Sequence, residues 1–143
     1  MSTIYPTFTC FDDALEFINV RVKQDQRLAF DRTLTLVHGI ALAHTAPNEP
    51  YAHAWVEEGD RCWDAGLVDG QKVYYAVARD EFYAARRIQK TTCYTVRQAC
   101  LENFRTKHYG PWRAEYAALC GSGRRVLGKI DATVALDALE HER

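Results

Sequence analysis

The chain has 143 residues, 48% of them hydrophobic, which suffices for one domain with a sizeable core and leaves little length for a second. With 18 basic and 19 acidic residues the formal net charge is -1, so no overall charge attracts the chain to nucleic acid or to an anionic membrane. Its first residues, MSTIYPTFTC, lack the basic start and apolar run of a secretion signal, and no stretch reaches the roughly 20 apolar residues of a membrane span. We therefore expect a single cytoplasmic domain over residues 1–143, with neither nucleic acid nor membrane as partner.

The first predicted helix begins near Thr9. Apolar residues recur there at the spacing of one helix face: Phe11, Leu15, Ile18 and Val22. Two N-caps fit the sequence, either Thr9 with Asp12 as the third-position carboxylate or the next residue with Asp13 in that role. Both alternatives place Cys10 in the first turn of the helix.

Several strands are predicted after this helix. Residues 34–42 are mostly apolar and β-rich, and they predict a central strand with Gly39 as a bulge or a point of close approach. Residues 45–50 contain two prolines and predict a loop. The runs on either side of Gly59-Asp60 predict an antiparallel hairpin, and residues 71–78 predict a further strand.

The second half of the chain continues with short helices and one more strand. Residues 79–87 predict a short helix and residues 88–95 a strand. Thr95 and Gln98 form a capping-box pattern, which predicts the start of a last clear helix. That helix is expected to end at Gly110-Pro111.

This order of elements is typical of an α+β domain, because the strands are mostly consecutive and linked by hairpins. We expect an N-terminal helix packed on a mostly antiparallel sheet of about 4–5 strands, with further helices at the C-terminal end. The core is expected over about residues 9–110. Residues 121–143 are expected to form a basic loop and a weakly helical tail.

The hairpin has a register that can be predicted from its turn. A two-residue loop at Gly59-Asp60 pairs Glu58 with Arg61. His53 and Asp64 then share one face as diagonal neighbours, about 7–8 Å apart at the backbone, a distance that an imidazole and a carboxylate can bridge. A register shifted by one residue would turn Asp64 to the other face.

Cys10 is the candidate nucleophile because of its position at the start of a helix. Unpaired backbone N–H groups and the positive end of the helix dipole lower the pKa of a cysteine there. Asp12 and Asp13 would raise that pKa if their carboxylates faced the sulfur. We expect one of these carboxylates to cap the helix and the other to face solvent.

These residues resemble the transglutaminase-like branch of the papain-like cysteine hydrolases and acyltransferases. That branch places its cysteine at the start of a helix, its histidine in an HAWVE strand and its aspartate on the following strand; the matching positions here are Cys10, His53 and Asp64. Residues 36–39 also resemble the R-x-V-x-G strand that precedes the histidine. The resemblance covers roughly residues 9–78, about half of the chain.

The resemblance implies a thiol-dependent acyl-transfer enzyme that acts on an amide, isopeptide or thioester bond of a peptide or protein. Cys10 would attack the carbonyl carbon, His53 would hold and return the proton, and Asp64 would orient the imidazole. The outcome is hydrolysis, deamidation or transfer to an amine, depending on what reaches the acyl-enzyme.

The oxyanion of such a reaction would be met by the Cys10 backbone N–H and one further donor. Thr9, Thr7 and Trp63 are the candidates for that donor. Trp55 and Trp63 are each interpreted as core or cleft wall, with a substrate platform as the alternative.

Two other interpretations stay open. In the first, the chain keeps this fold without turnover and acts as a protein-binding or inhibitory module, with Cys10 buried or distant from His53. In the second, a zinc ion is bound, but no pair among the four candidate ligands has an i, i+4 or CxxC spacing: His38, His44, His53 and Cys62. We therefore expect no metal and no cofactor.

The remaining cysteines and arginine pairs are given structural roles. Five cysteines without a CxxC pair fit neither a disulfide framework nor a zinc ribbon, so we expect reduced thiols, with three of them packing in the core: Cys93, Cys100 and Cys120. The pairs Arg86-Arg87 and Arg124-Arg125 are expected on solvated faces.

Overall fold

The computed structural model describes residues 4–43, 48–120 and 138–139 of the chain. The helices are α1 (Cys10–Gln24), α2 (Arg79–Arg86), α3 (Val96–Thr106) and α4 (Ala114–Ala117), with a 3-10 turn at Gln26–Ala29. The strands are β1 (Leu34–Ala43), β2 (Glu49–Glu58), β3 (Arg61–Val68), β4 (Gln71–Ala78), β5 (Lys90–Thr95) and β6 (Ala138–Leu139). None of the described helices is long and apolar enough to cross a membrane.

All six strands belong to one antiparallel sheet in the order β5-β1-β2-β3-β4-β6. Helix α1 packs on one face of the sheet, together with α3 and α4. Helix α2 lies on the opposite face. The predicted α+β class, with an N-terminal helix on an antiparallel sheet and further helices after it, is confirmed.

The two faces of the sheet follow from the alternation of side chains along each strand. In β2, Ala52, Ala54 and Val56 join the cluster under α1. Trp55 joins the cluster under α2, and the ring of His53 stacks near it at 5.9 Å between centroids. His53 therefore projects from the face opposite α1.

Helix α1 buries the side of the helix that the sequence predicts. Phe11, Leu15 and Ile18 are buried and Val22 packs against their cluster. The helix starts at Cys10 with Thr9 in the N-cap position of the first predicted alternative, but the Thr9 side chain makes no capping hydrogen bond. The Thr9 hydroxyl donates to the carboxylate of buried Asp13 at 2.9 Å, so this side chain ties the entry of the helix to its first turn.

Gly39 is a point of close approach and not a bulge. The β1–β2 ladder runs without interruption through the pair Gly39–His53. A Cβ atom at Gly39 would lie 2.5 Å from the Trp55 ring, which is too close for any side chain. The glycine therefore lets Trp55, the largest buried side chain of β2, pack directly against β1.

The sheet is split between β2 and β3. Their ladder comprises only three pairs, from the turn to Val56–Trp63. Farther along β3, Leu67 exchanges two backbone hydrogen bonds with Tyr5, at 3.0 and 2.8 Å, on the edge that would otherwise pair with β2. The N-terminal segment thus enters the split as a short extra strand.

Ile4 anchors this N-terminal segment. It is fully buried in the cluster under α2. Gly66 makes room for it, because a Cβ atom at Gly66 would lie 2.3 Å from Ile4 Cγ2. The chain then passes from the α2 face to the α1 face within the few residues that precede Cys10.

The predicted end of α3 and the predicted limits of the core need correction, and the predicted C-terminal tail falls largely outside the described residues. The capping box of α3 is confirmed, but the helix ends at Thr106, where Lys107 takes a left-handed conformation, and not at Gly110-Pro111. Tyr116 is fully buried, as is Ile4, so the core extends beyond residues 9–110 at both ends. The predicted loop and tail over residues 121–143 lie outside the described residues, except for β6.

The remaining boundaries differ by small amounts. In the predicted loop over residues 45–50, residues 49 and 50 already belong to β2 and residues 45–47 lie outside the described part of the chain. In α3, Cys100 was expected to pack in the core but is exposed, as is Phe104. The helix buries only its first turn, at Val96 and Ala99.

Candidate active site

His53 and Asp64 are in direct contact. The imidazole Nε2 lies 3.1 and 3.0 Å from the two carboxylate oxygens of Asp64, and both residues are buried. The hairpin register that the two-residue turn predicts is confirmed, because Glu58 pairs with Arg61. Local turn geometry therefore brings the imidazole and the carboxylate together.

The Asp64 carboxylate has further partners. Its Oδ1 accepts a hydrogen bond from the Ala65 N–H at 2.9 Å, and its Oδ2 accepts one from Arg86 Nη2 at 2.6 Å. Burial opposes ionisation of this carboxyl, but the contacts with His53 and Arg86 outweigh it and hold the pKa of Asp64 below its usual value. Asp64 is therefore an anion inside the protein.

Arg86 was expected on a solvated face, and this expectation is wrong. Its side chain is only 11% exposed and spans the α2 face of the sheet to reach Asp64. It also donates to the hydroxyl oxygens of Tyr51 at 3.2 Å and Tyr75 at 3.4 Å. The neighbouring Arg87 donates to the Ala43 carbonyl at 2.9 Å. The other predicted pair, at positions 124 and 125, lies outside the described residues.

Cys10 lies at the split on the other side of the sheet. Its side chain packs against the cluster under α1 and lines a cavity of about 10 Å³ together with Ala54, Asp64 and Ala65. Burial raises the pKa of the Cys10 thiol to about 12, while the Ala54 backbone N–H partly offsets this by favouring the thiolate. Burial thus outweighs the favourable contact with the Ala54 N–H.

The split explains how these backbone groups reach the side chains. In the pairing that continues from Val56–Trp63, Ala54 and Ala65 would exchange backbone hydrogen bonds. Instead the Ala65 N–H donates to Asp64, and the Ala54 N–H lies beside the Cys10 sulfur. The opened ladder therefore supplies two N–H groups to the residues around the cavity.

The structure brings two of the three predicted catalytic residues together and places the third across the split. His53 and Asp64 form a bonded pair on the α2 face. Cys10 approaches the same part of β2 from the α1 face, next to Ala54. Within the part of the chain that the structure describes, Cys10 makes no hydrogen bond to His53.

The candidates for substrate or oxyanion contacts have other partners in this conformation. The Thr9 and Thr7 hydroxyls both donate to Asp13. Trp55 is fully buried and its indole N–H donates to Glu57 at 3.0 Å. The indole N–H of half-buried Trp63 donates to a carboxylate of β2, that of Glu58, at 3.1 Å. Trp55 is thus a core residue, and Trp63 forms one wall of the cavity at the split.

His38 is also a buried histidine, but unlike His53 it has no polar partner among the described residues. It is fully buried and neither ring nitrogen has a hydrogen-bond partner. Four aromatic rings surround it, with centroids 4.7–6.2 Å away: Phe11, Tyr94, Trp112 and Tyr116. Burial lowers the pKa of His38 to about 3, so this imidazole is neutral at physiological pH.

The zinc interpretation gains no support from the described residues. They contain no group of three or more His, Cys, Asp or Glu side chains placed to hold a metal ion, while His44 lies outside them. The thiols are free. Two of the three cysteines assigned to packing, Cys93 and Cys100, are exposed instead, and Cys120 is half-buried against the cluster under α1.

Sequence reasoning missed three contributors to this site. Arg86 has a weak signal, because Phe82 lies one helical turn before it and both project from α2 toward the sheet. Asp13 was treated as a cap or as solvent-facing, yet it is buried and binds Lys72 at 2.9 Å. The Ala54 N–H has no sequence signal, because it faces Cys10 only where the pairing of β2 with β3 is interrupted.

No family model, curated protein or solved structure matches the chain.

Proposed function

We propose that the chain is a thiol-dependent acyl-transfer enzyme that acts on a peptide or protein substrate with Cys10, His53 and Asp64. The observation that supports this most is the contact of His53 Nε2 with both oxygens of a buried, ionised Asp64. Such a contact selects the tautomer with a proton on Nε2 and leaves Nδ1 as the base. Cys10, whose thiol lies beside the Ala54 N–H, is the thiol candidate.

In this mechanism the Cys10 sulfur forms a bond to the carbonyl carbon of the substrate while Nδ1 of His53 takes the thiol proton. The carbonyl π electrons move to the oxygen, and the Cys10 backbone N–H is one donor to the resulting oxyanion. Collapse of this tetrahedral intermediate breaks the bond between the carbonyl carbon and the nitrogen of the leaving amine, and the amine takes the proton from His53. Water or a second amine then cleaves the thioester by the same steps in reverse order.

The raised pKa of Cys10 constrains this mechanism. With a pKa of about 12 the thiol is protonated at pH 7, so proton transfer accompanies attack on the carbonyl carbon and no thiolate exists beforehand. A cavity of about 10 Å³ holds at most one water molecule, so the split must widen to admit a substrate. The same widening must bring the Cys10 sulfur, on the α1 face, within reach of His53 on the α2 face.

The raised pKa of Cys10 also favours a second candidate function, a binding or inhibitory module without turnover. A thiol that stays protonated and enclosed behaves as a small core residue. In that case Cys10 contributes packing, and the His53–Asp64 contact stabilises the α2 face without taking part in proton transfer. The two functions differ in whether the reactivity of Cys10 depends on His53.

The pH dependence of iodoacetamide labelling, measured for each cysteine by peptide mass spectrometry in native protein, separates the two. The enzyme proposal expects His53 to accept the Cys10 proton as the sulfur attacks iodoacetamide, so Cys10 should be labelled more slowly in His53→Ala than in wild type, whereas the exposed Cys93 and Cys100 should be labelled equally in both. His38→Ala is the matched control, since His38 is a buried histidine without a carboxylate, and it should leave the labelling of Cys10 unchanged. Slow labelling that is the same in wild type and His53→Ala would exclude the enzyme.

A further inference from the structure

Arg86 is joined by a hydrogen bond to Asp64, which in turn contacts the candidate base His53. It is the last residue of α2, and a compact C-terminal turn follows it, in which the N–H groups of Arg87 and Ile88 donate to the carbonyls of Ala84 and Tyr83. Arg87 itself is bonded to the end of β1. The last turn of α2 is therefore fixed on both sides, and it holds the Arg86 guanidinium against the Asp64 carboxylate.

The charges around the imidazole can be followed group by group. Asp64 contributes one negative charge from β3, and Arg86 contributes one positive charge from α2, because a guanidinium is not deprotonated in proteins. The facing groups on β2 and β4 are Tyr51 and Tyr75; burial raises the pKa of Tyr75, which keeps its phenol neutral. A proton added to His53 would therefore give this buried cluster a net positive charge.

An imidazole that faces a carboxylate alone retains its proton to higher pH, since the opposite charge favours the imidazolium. An imidazolium cannot accept a thiol proton. The guanidinium occupies Oδ2 at 2.6 Å, the same oxygen that lies 3.0 Å from His53 Nε2. Arg86 and a protonated His53 therefore compete for one anion.

We propose that Arg86 is a positioning residue that neutralises Asp64, so that Asp64 orients His53 without converting it to an imidazolium. Its value for catalysis depends on the proposed function above, but its effect on the charge of His53 does not. Arg86 fixes the carboxylate rotamer through its bonds to Tyr51 and Tyr75 and at the same time removes the electrostatic gain of protonating the imidazole.

The test is an NMR titration of the histidine side chains in wild type, Arg86→Met and Arg86→Lys, with the His53 signals identified from a His53→Gln sample. In Arg86→Met the pH at which His53 loses its proton should rise by about one unit or more, because a cation close to it is removed. Arg86→Lys keeps the charge and should stay near wild type. The His38 signals, from the opposite face, should be the same in all samples. An unchanged His53 midpoint in folded Arg86→Met would overturn the proposal.

A second pair of variants covers the case in which Arg86→Met does not fold. Asp64→Asn and the double variant Asp64→Asn with Arg86→Met differ only in the guanidinium, and the double variant buries no unpaired charge. The proposal expects His53 to release its proton at higher pH in the double variant; equal midpoints would overturn it. Iodoacetamide labelling of Cys10 in the same samples reports separately on the proposed function, because the NMR shift is expected even if Cys10 is inert.

Discussion

His38 and His53 occupy adjacent positions on neighbouring strands, yet their surroundings are opposite. In the β1–β2 ladder His38 pairs with Ala54 and His53 pairs with Gly39. His38 faces α1 among aromatic rings without a polar partner, whereas His53 faces α2 and is bonded to Asp64. Burial alone leaves an imidazole neutral and without an oriented partner; burial beside an anchored carboxylate fixes the orientation of its ring.

Among the variants that test this contrast, Asp64→Ala has the largest expected effect on stability. The substitution leaves the Arg86 guanidinium buried without its counter-charge and His53 without its partner. We expect the free energy of unfolding to fall by about 3–5 kcal/mol, measured by urea denaturation. Glu115→Ala removes an exposed ion pair with Lys90 and should leave the midpoint nearly unchanged. Equal effects of the two substitutions would show that the buried cluster is not held by its charges.

The second test uses pH and concerns His38. The unfolded chain binds a proton at this residue below about pH 6.5, but the folded chain does not until about pH 3, so stability is lost as the pH falls through this range. From His38 alone we expect about 2 kcal/mol less stability at pH 5 than at pH 8. The measurement is urea denaturation at both pH values for wild type and His38→Phe. The difference in stability between pH 8 and pH 5 should be smaller by that amount in His38→Phe. The same pH dependence in both proteins would contradict the lowered pKa of His38.

The smallest expected effect is a gain in stability. At pH 8, His38→Phe removes two buried nitrogens that have no hydrogen-bond partner and keeps a ring of similar shape among the other aromatic rings. We expect the variant to be more stable by about 1 kcal/mol in thermal unfolding. His53→Phe should have the opposite sign, because the buried Asp64 carboxylate loses its contacts with the imidazole and keeps only those with Ala65 and Arg86. A loss of stability in His38→Phe would mean that the imidazole is not a passive core group.

Much of the fold could be predicted from the sequence because its signals are local. The turn at Gly59-Asp60 determines the pairing of Glu58 with Arg61, and Thr95 with Gln98 marks the start of α3. The contact between His53 and Asp64 follows from the same turn. Each of these features depends on residues that are close in sequence.

The features that could not be predicted depend on long-range packing. The N-terminal residues MSTIYP carry no strand pattern, yet Ile4 is fully buried and Tyr5 pairs with β3. Arg86 is buried because α2 docks onto the sheet, and an arginine without its tertiary context is expected at the surface. The thiol of Cys10 is desolvated by the packing of α1 on β2, an effect that opposes the helix start.

The N-terminal segment in the split also has a consequence for the order of folding. Strands β1–β4 pair with their immediate neighbours along the chain, so each of these hairpins closes a short loop. The pairing of Tyr5 with Leu67 closes a loop that contains α1 and most of the first three strands, and long loops are entropically slow to close. The pairing of the N-terminal segment with β3 is then completed last, so that amide hydrogens of Tyr5 and Leu67 gain protection from exchange after those of the hairpins.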